Sequence, residues 1–230
     1  MEQKHMKTIA IVSEKGGAGK TTVTVNLAVA AENHGLATVI FDLDQRANSA
    51  VWGDNRESKI PQVVPAQAVR LSRLLDQARQ NQAALVILDT PGNDLPIAET
   101  ACASADLILI PCRPSPPDLV SIVPTVKMAL ASGKPAFVLL NAAPVQGSET
   151  AEATAAIQRA GMAVCPVILH SRKAFVSRFH EGMSALDIDP KGKAAQELEA
   201  LFTWACEESS LLPSEQATMK ESELLTSQKG

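Results

Sequence analysis

The sequence predicts an α/β protein, a three-layer α/β/α sandwich with a mostly parallel central sheet. Three observations carry that expectation. Apolar runs of strand length alternate with segments of helix length along most of the 230 residues. The runs are continuous, as in Leu85-Val86-Ile87-Leu88 and Leu107-Ile108-Leu109-Ile110, which is how strands covered on both faces read. A glycine-rich stretch, Gly16-Gly17-Ala18-Gly19, joins the first apolar run to the first helical one. Repeated strand–helix–strand order makes the sheet parallel, with helices on both sides.

In chain order, strands are predicted over residues 8–13, 38–42, 85–89, 107–111, 136–141 and 164–169. Helices are predicted over 20–33, 69–80, 117–131, 149–159 and 190–206. In the last of these, Ala194, Leu198, Leu201, Phe202 and Ala205 recur at helical spacing and mark a buried stripe. Residues 53–65 are the least regular internal stretch, and no element is expected there. Residues 1–206 are expected to form a single domain. Residues 207–230 are expected to form a polar, acidic tail that frays.

Composition narrows the classes. Hydrophobic residues make up 46% and charged residues 20%, which suits a full core and excludes a disordered chain. Lys+Arg is 21 against 25 Asp+Glu, a net charge of −4, and −3 of it falls in residues 207–230. There is no Tyr, with five Phe and two Trp, which argues against gripping single-stranded nucleic acid by stacking its bases. No run reaches the ~18 apolar residues of a membrane span, and the polar start shows no signal peptide. Cys102, Cys112, Cys165 and Cys206 show neither a CxxC pair nor a metal spacing. They read as small buried hydrophobes in a reducing compartment.

The strongest motif is Glu14-Lys15-Gly16-Gly17-Ala18-Gly19-Lys20-Thr21-Thr22. It follows an apolar strand and opens a helix, the setting a phosphate-binding loop needs. Residues Gly16 to Gly19 let backbone N–H groups turn inward around a phosphate chain, and the helix N-terminus adds partial positive charge. Lys20 would reach the β/γ-phosphates, the Thr21 hydroxyl would ligate Mg²⁺, and Thr22 completes the cradle. Leu85 to Leu88 followed by Asp89 reads as a strand whose terminal carboxylate holds Mg²⁺ through water.

An ordinary loop of this kind begins with glycine. Here that place holds Glu14, followed by a second lysine, Lys15. The loop resembles the deviant Walker A motif of the ParA/MinD family, the SIMIBI class of dimerising P-loop NTPases. The resemblance implies that Lys15 crosses an ATP-held dimer to touch the partner's nucleotide. Oxyanions at a dimer face need positive charge from both sides, so ATP would act as glue. Phe41-Asp42-Leu43-Asp44-Gln45-Arg46-Ala47-Asn48-Ser49 resembles the family's D-x-D-P-Q switch I segment, with Gln45 in place of Pro and Arg46 in place of Gln. By that likeness Asp44 orients or activates the attacking water and Asp42 supports the Mg²⁺ shell. A strand-end Asp also serves as a helix cap. Thr90-Pro91-Gly92 resembles switch II, and Cys112-Arg113-Pro114-Ser115-Pro116-Pro117-Asp118 resembles the proline-rich turn of small plasmid-partition (ParF-like) ParA proteins. Asn141 carries the donor and acceptor that an adenine edge needs. In the family this position lines the base, and a plain turn residue is the other reading.

The likeness spans residues 7–206 and is to short members without an N-terminal helix-turn-helix domain. It implies an ATPase with ATP/ADP and Mg²⁺ as cofactors, a slow intrinsic rate and stimulation by a partner protein. It further implies a homodimer on ATP binding, non-specific binding of double-stranded DNA, a ParB-like centromere-binding partner, and a cytoplasmic, nucleoid-associated location. Partition of plasmid or chromosomal DNA is the first function expected. Positioning of another cargo, a microcompartment or protein cluster, is the second. Basic residues of the family's C-terminal region contact DNA, and here Arg172, Lys173 and Arg178 match them, with Lys191 and Lys193 further on. Residues 170–193 carry a net charge of +2. Phosphate contacts need only such cations, and a solvated helix face is the other reading. A membrane-binding switch of the MinD type would need a basic amphipathic C-terminal helix, so no membrane is expected. An iron–sulfur carrier would need a cysteine pair at a dimer face, a setting that Cys102 and Cys112 lack.

Overall fold

The computed structural model describes residues 6–211. Its strands are β1 (Lys7–Ile11), β2 (Thr38–Asp42), β3 (Gln62–Pro65), β4 (Leu85–Asp89), β5 (Leu107–Cys112) and β6 (Ala136–Leu140). They form one sheet in the order β3-β2-β4-β1-β5-β6, and every pairing between them is parallel. The helices are α1 (Lys20–Asn33), α2 (Asn48–Asn55), α3 (Leu71–Gln80), α4 (Leu95–Ser104), α5 (Pro116–Ser121), α6 (Val123–Ala131), α7 (Glu149–Arg159), α8 (Ala185–Ile188) and α9 (Lys193–Ser209).

Alternating strand side chains feed two cores. Ile9 and Ile11 pack with α1, α8 and α9 on one side. Ala10 and Val12 pack with α3, α4, α6 and α7 on the other. This is the three-layer sandwich that continuous apolar strands require. Helix α1 is buried through Val23 to Ala31, because it lies between the sheet and α9. The four cysteines are free and buried.

Several expectations are corrected. Residues 164–169 do not form a strand. Isolated bridges, Val138↔Val164 and Ala143↔His170, and a bond from the Leu169 N–H to the Leu140 carbonyl tie this stretch to the edge of the sheet. Pro166 has no N–H for a ladder. Conversely, 62–65 is a strand, short and only half-buried at the opposite edge. The helix expected over 117–131 is interrupted at Ile122. Pro124 just beyond it cannot donate to the preceding turn. Helices α2, α4 and α8 lie where the sequence predicts none. The last helix begins at Lys193 and runs to Ser209, and residues 212–230 of the expected tail lie outside the described residues.

Register places the chemistry. Asp42 and Asp89 are paired neighbours at the C-terminal ends of β2 and β4, and Ile11, which leads into the glycine loop, also pairs with Asp89. Three chain segments therefore converge at one sheet edge, where open parallel sheets bind ligands.

Candidate functional site

The loop from Val12 to Gly19 turns through two left-handed glycines, Gly17 at φ 78° and Gly19 at φ 92°. A Cβ on Gly19 would lie 2.2 Å from Asn141 Nδ2, so a side chain there would need a left-handed backbone and a displaced Asn141 carboxamide. Lys20 folds back over the loop, its Nζ donating to the carbonyls of Ser13 at 2.9 Å and Lys15 at 3.3 Å. Burial holds its pKa below the usual lysine value, with Asp89 and Asp44 acting in the opposite sense. The first turn of α1 carries no acidic residue. Its positive end is therefore left for an anion.

Asp89 is buried, and its two oxygens differ. Oδ2 accepts a short hydrogen bond from the Ser49 hydroxyl, whereas Oδ1 is buried with no hydrogen-bond partner. Burial pushes its pKa up to about 7, opposed by the Ser49 and Thr21 hydroxyls and by Lys20, while Asp42 adds to the rise. A buried carboxylate oxygen without a partner, next to a threonine hydroxyl, is a hard-oxygen donor set that suits Mg²⁺.

Asp42 is employed differently. Its Oδ1 accepts from the Asp44 N–H at 3.0 Å and its Oδ2 from the Ala50 N–H at 2.9 Å. It therefore ties down the loop that carries Asp44. Burial raises its pKa, and those backbone N–H groups oppose the rise. Asp44 turns its own carboxylate onto the Arg46 N–H at 2.9 Å. The loop then enters α2 through Ala47 at φ 55°, a left-handed residue without glycine's freedom. A cleft of 260 Å³ unites Gly16, Lys20, Thr21, Asp44, Arg46 and Gly92.

The rim is built from more distant segments. Lys15 Nζ lies 2.6 Å from Asp118 Oδ1 on α5. The Arg113 guanidinium donates to the Gly17 carbonyl at 3.1 Å. Asn141 donates through Nδ2 to the Ala18 carbonyl at 2.8 Å and accepts at Oδ1 from the Ala142 N–H at 2.9 Å. Its carboxamide thus braces the loop, and contact with a base would require those bonds to exchange. After β4, the Thr90 hydroxyl donates to the Ile11 carbonyl at 2.8 Å. Gly92 passes close to the loop, where a Cβ would meet the Glu14 carbonyl at 3.1 Å.

The three basic residues 172, 173 and 178 are not equivalent. Arg172 donates through Nε and Nη2 to Glu197 Oε1, at 2.9 and 2.6 Å, and His170 Nδ1 lies 2.7 Å from the same oxygen. Arg178 pairs with Glu181 at 2.7 Å. Lys173, Lys191 and Lys193 are exposed, and among the described residues none of them has an ion pair within 4.0 Å.

Residues 9–186 match the CobQ/CobB/MinD/ParA nucleotide binding domain. The chain belongs to this family. Relatives of this ParA/MinD-type chain include maintenance of carboxysome distribution protein A of Gloeobacter kilaueensis, 31% identical over 210 residues, 89% of this chain and 94% of that protein. Protein virC1 of Rhizobium rhizogenes is 27% identical over 195 residues, 80% of this chain and 84% of that protein. The fold is similar to that of the septum site-determining protein MinD complexed with Mg-ADP from Pyrococcus horikoshii. The TM-score is 0.71 at 20% identity, covering 86% of this chain and 95% of that one.

Sequence reasoning missed Ser49, Arg113 and Ser115 as site-building residues. Ser115 caps α5 and donates a short bond to Asp118. The Ser-Pro-Pro-Asp order was a visible capping signal. Ser49 carried none, since its partner Asp89 is 40 residues away.

Proposed function

We propose that this chain is an ATP-dependent, dimerising ATPase that positions an intracellular cargo by nucleotide-switched, non-specific binding to duplex DNA. The observation that carries the reading is a cleft that gathers the glycine loop, Lys20, Thr21 and Asp44, together with a buried Asp89 whose Oδ1 has no hydrogen-bond partner and a second lysine, Lys15, on the rim. Lys20 and the N–H groups of the loop would bind the β- and γ-phosphates. Thr21 and Asp89 would hold Mg²⁺, which supplies charge neutralisation on the phosphate oxygens. Asp42 would act through the loop it ties down, and Asp44, once released from Arg46 N–H, would orient the attacking water. Lys15 would complete the partner's site, and this makes hydrolysis depend on dimerisation. Lys173, Lys191 and Lys193 are the cations best placed to meet DNA phosphates.

For the cargo, a large protein assembly is the favoured reading, because a relative matched over nearly its whole length is named for carboxysome distribution. Partition of DNA is the second reading, favoured by a match to protein ParA of Rhizobium radiobacter, 31% identical over 112 residues. Light scattering with ATP, ADP or no nucleotide tests the core of the proposal. A mass that doubles with ATP alone, and stays doubled in Asp44→Ala, is expected. A monomer under all conditions would overturn it.

A further inference from the structure

Helix α2 is two turns long, and both of its ends are pinned. At the first end Ser49 donates to Asp89, and the Ala50 N–H donates to Asp42. At the other end Trp52 Nε1 donates to the Met183 carbonyl at 3.2 Å. Arg56, just past the helix, closes a two-pronged ion pair with Asp187, Nη1 to Oδ2 at 2.8 Å and Nη2 to Oδ1 at 3.1 Å. Its Nη1 also donates to the Gly182 carbonyl at 2.8 Å, and its guanidinium sits 5.0 Å from the Trp52 ring centroid. The Gly182 backbone runs so close that a Cβ would fall 2.4 Å from Arg56 N and Cα. Asp187 in turn accepts from the Ser184 N–H at 2.7 Å, and this opens α8.

The two pinned ends face different jobs. The first end touches Asp42 and Asp89, the paired carboxylates at the ends of β2 and β4. The second end grips residues 182–187, which lie between Arg178 and the exposed lysines Lys191 and Lys193. Each region is entered through a non-glycine residue in the left-handed conformation, Ala47 at φ 55° and Arg178 at φ 60°. Such residues persist where the surroundings over-determine them, and they concentrate in switch regions. Ser49 and Trp52 are fully buried, and close-packed side chains pass on a displacement without absorbing it.

We propose that α2 is the lever through which the nucleotide cleft sets the position of residues 178–188, with the Arg56–Asp187 fork as its coupling contact. A phosphate chain and its cation compete with the Ser49 hydroxyl for Asp89 and re-aim Asp44, and both changes act on the first turn of α2. The fork and the Trp52 bond carry that motion to Met183 and Asp187. The coupling is reciprocal: whatever binds residues 178–188 in one position changes nucleotide affinity by the same factor. This inference rests on nucleotide binding in the cleft and does not require that the bound partner be DNA.

Hydrogen–deuterium exchange on the full chain, with and without saturating Mg²⁺–ADP, tests it. In the wild-type chain nucleotide should change exchange at residues 182–188 by about fivefold. Arg56→Gln removes the fork while Asp187 keeps its Ser184 bonds. It should bring the response to within error and leave nucleotide affinity within about threefold. Trp52→Phe keeps an aromatic ring in the core and should cut the response by about half, which decides the matter if the Arg56 variant does not fold. A chain that binds nucleotide with unchanged exchange at 182–188, or a folded variant of either kind with the full response, would overturn the lever. A chain that binds no nucleotide would overturn the nucleotide reading itself, and the lever with it.

Discussion

Lys15 and Asp118, 103 residues apart, form an ion pair 2.6 Å long across the rim of the phosphate loop. Burial tends to raise the Asp118 pKa, but the bonds from Lys15 and Ser115 outweigh it and hold the carboxyl below its usual value. The pair is therefore intact at neutral pH. In the proposed dimer, Lys15 would have to leave this carboxylate before reaching the partner's nucleotide. Asp118→Asn should ease ATP-dependent dimerisation by up to about fivefold, in line with the ~1 kcal/mol of a partly exposed pair. Lys15→Ala should abolish the dimer and leave nucleotide binding to the monomer intact. Light scattering and nucleotide titration on the two variants measure the contrast.

Lys20 is the cation that phosphate should need most. Lys20→Ala removes the side-chain ammonium bonded to the loop carbonyls of Ser13 and Lys15. Its nucleotide affinity should fall by at least about a hundredfold, as expected when a buried charge loses its partner. Desolvation outweighs the attraction of Asp89 and Asp44 for that buried charge, so thermal stability should hold or rise when it is removed. Calorimetric titration beside a melting curve separates the two effects.

Gly19 and Asn141 form a steric couple. Gly19→Ala places a methyl group 2.2 Å from Asn141 Nδ2 on a backbone at φ 92°. It should cost about 2–4 kcal/mol. Adding Asn141→Ala should recover part of that cost, because the clash is removed, and leave the left-handed strain of roughly 1–2 kcal/mol. A double-mutant cycle in denaturant should therefore show strong non-additivity.

The Glu197 carboxylate gathers His170 and Arg172 around one oxygen. Burial would raise its pKa, yet the bonds from Arg172 and His170 hold it below 4.5. A folded-state pKa below the unfolded one contributes stability that is present above pH 4.5 and is lost as pH falls through the folded value. Glu197→Gln should therefore melt earlier than wild type at pH 7. The gap should close in acid below that range, which melting curves across a pH series would show.

The glycine loop, Lys20, Asp44 and Asp89 were legible because each motif is local: apolar run, then loop, then helix, with the chemistry at the strand end. Register then does the rest, since parallel pairing sets Asp42 beside Asp89. The links between segments were not legible. Ser49–Asp89 spans 40 residues and Arg56–Asp187 spans 131, and no spacing rule reports such a contact. The sequence left Asn141 open between an adenine contact and a plain turn residue; that its donor is spent on the Ala18 carbonyl is a detail only the packing decides. Pro166 and Pro124 were visible throughout, and their missing N–H groups account for the lost strand and the divided helix. Strand β3 escaped notice because an edge strand of four half-exposed residues has too little apolar pattern to announce itself.

The central claim is a DNA affinity governed by nucleotide. An electrophoretic shift of random-sequence duplex DNA with ATP, with ADP and with no nucleotide tests it most directly. The account predicts binding with ATP alone, falling steeply as salt rises and weakened when Lys173, Lys191 and Lys193 are changed together to Ala. Equal binding in all three nucleotide conditions, or no binding in any of them, would contradict it.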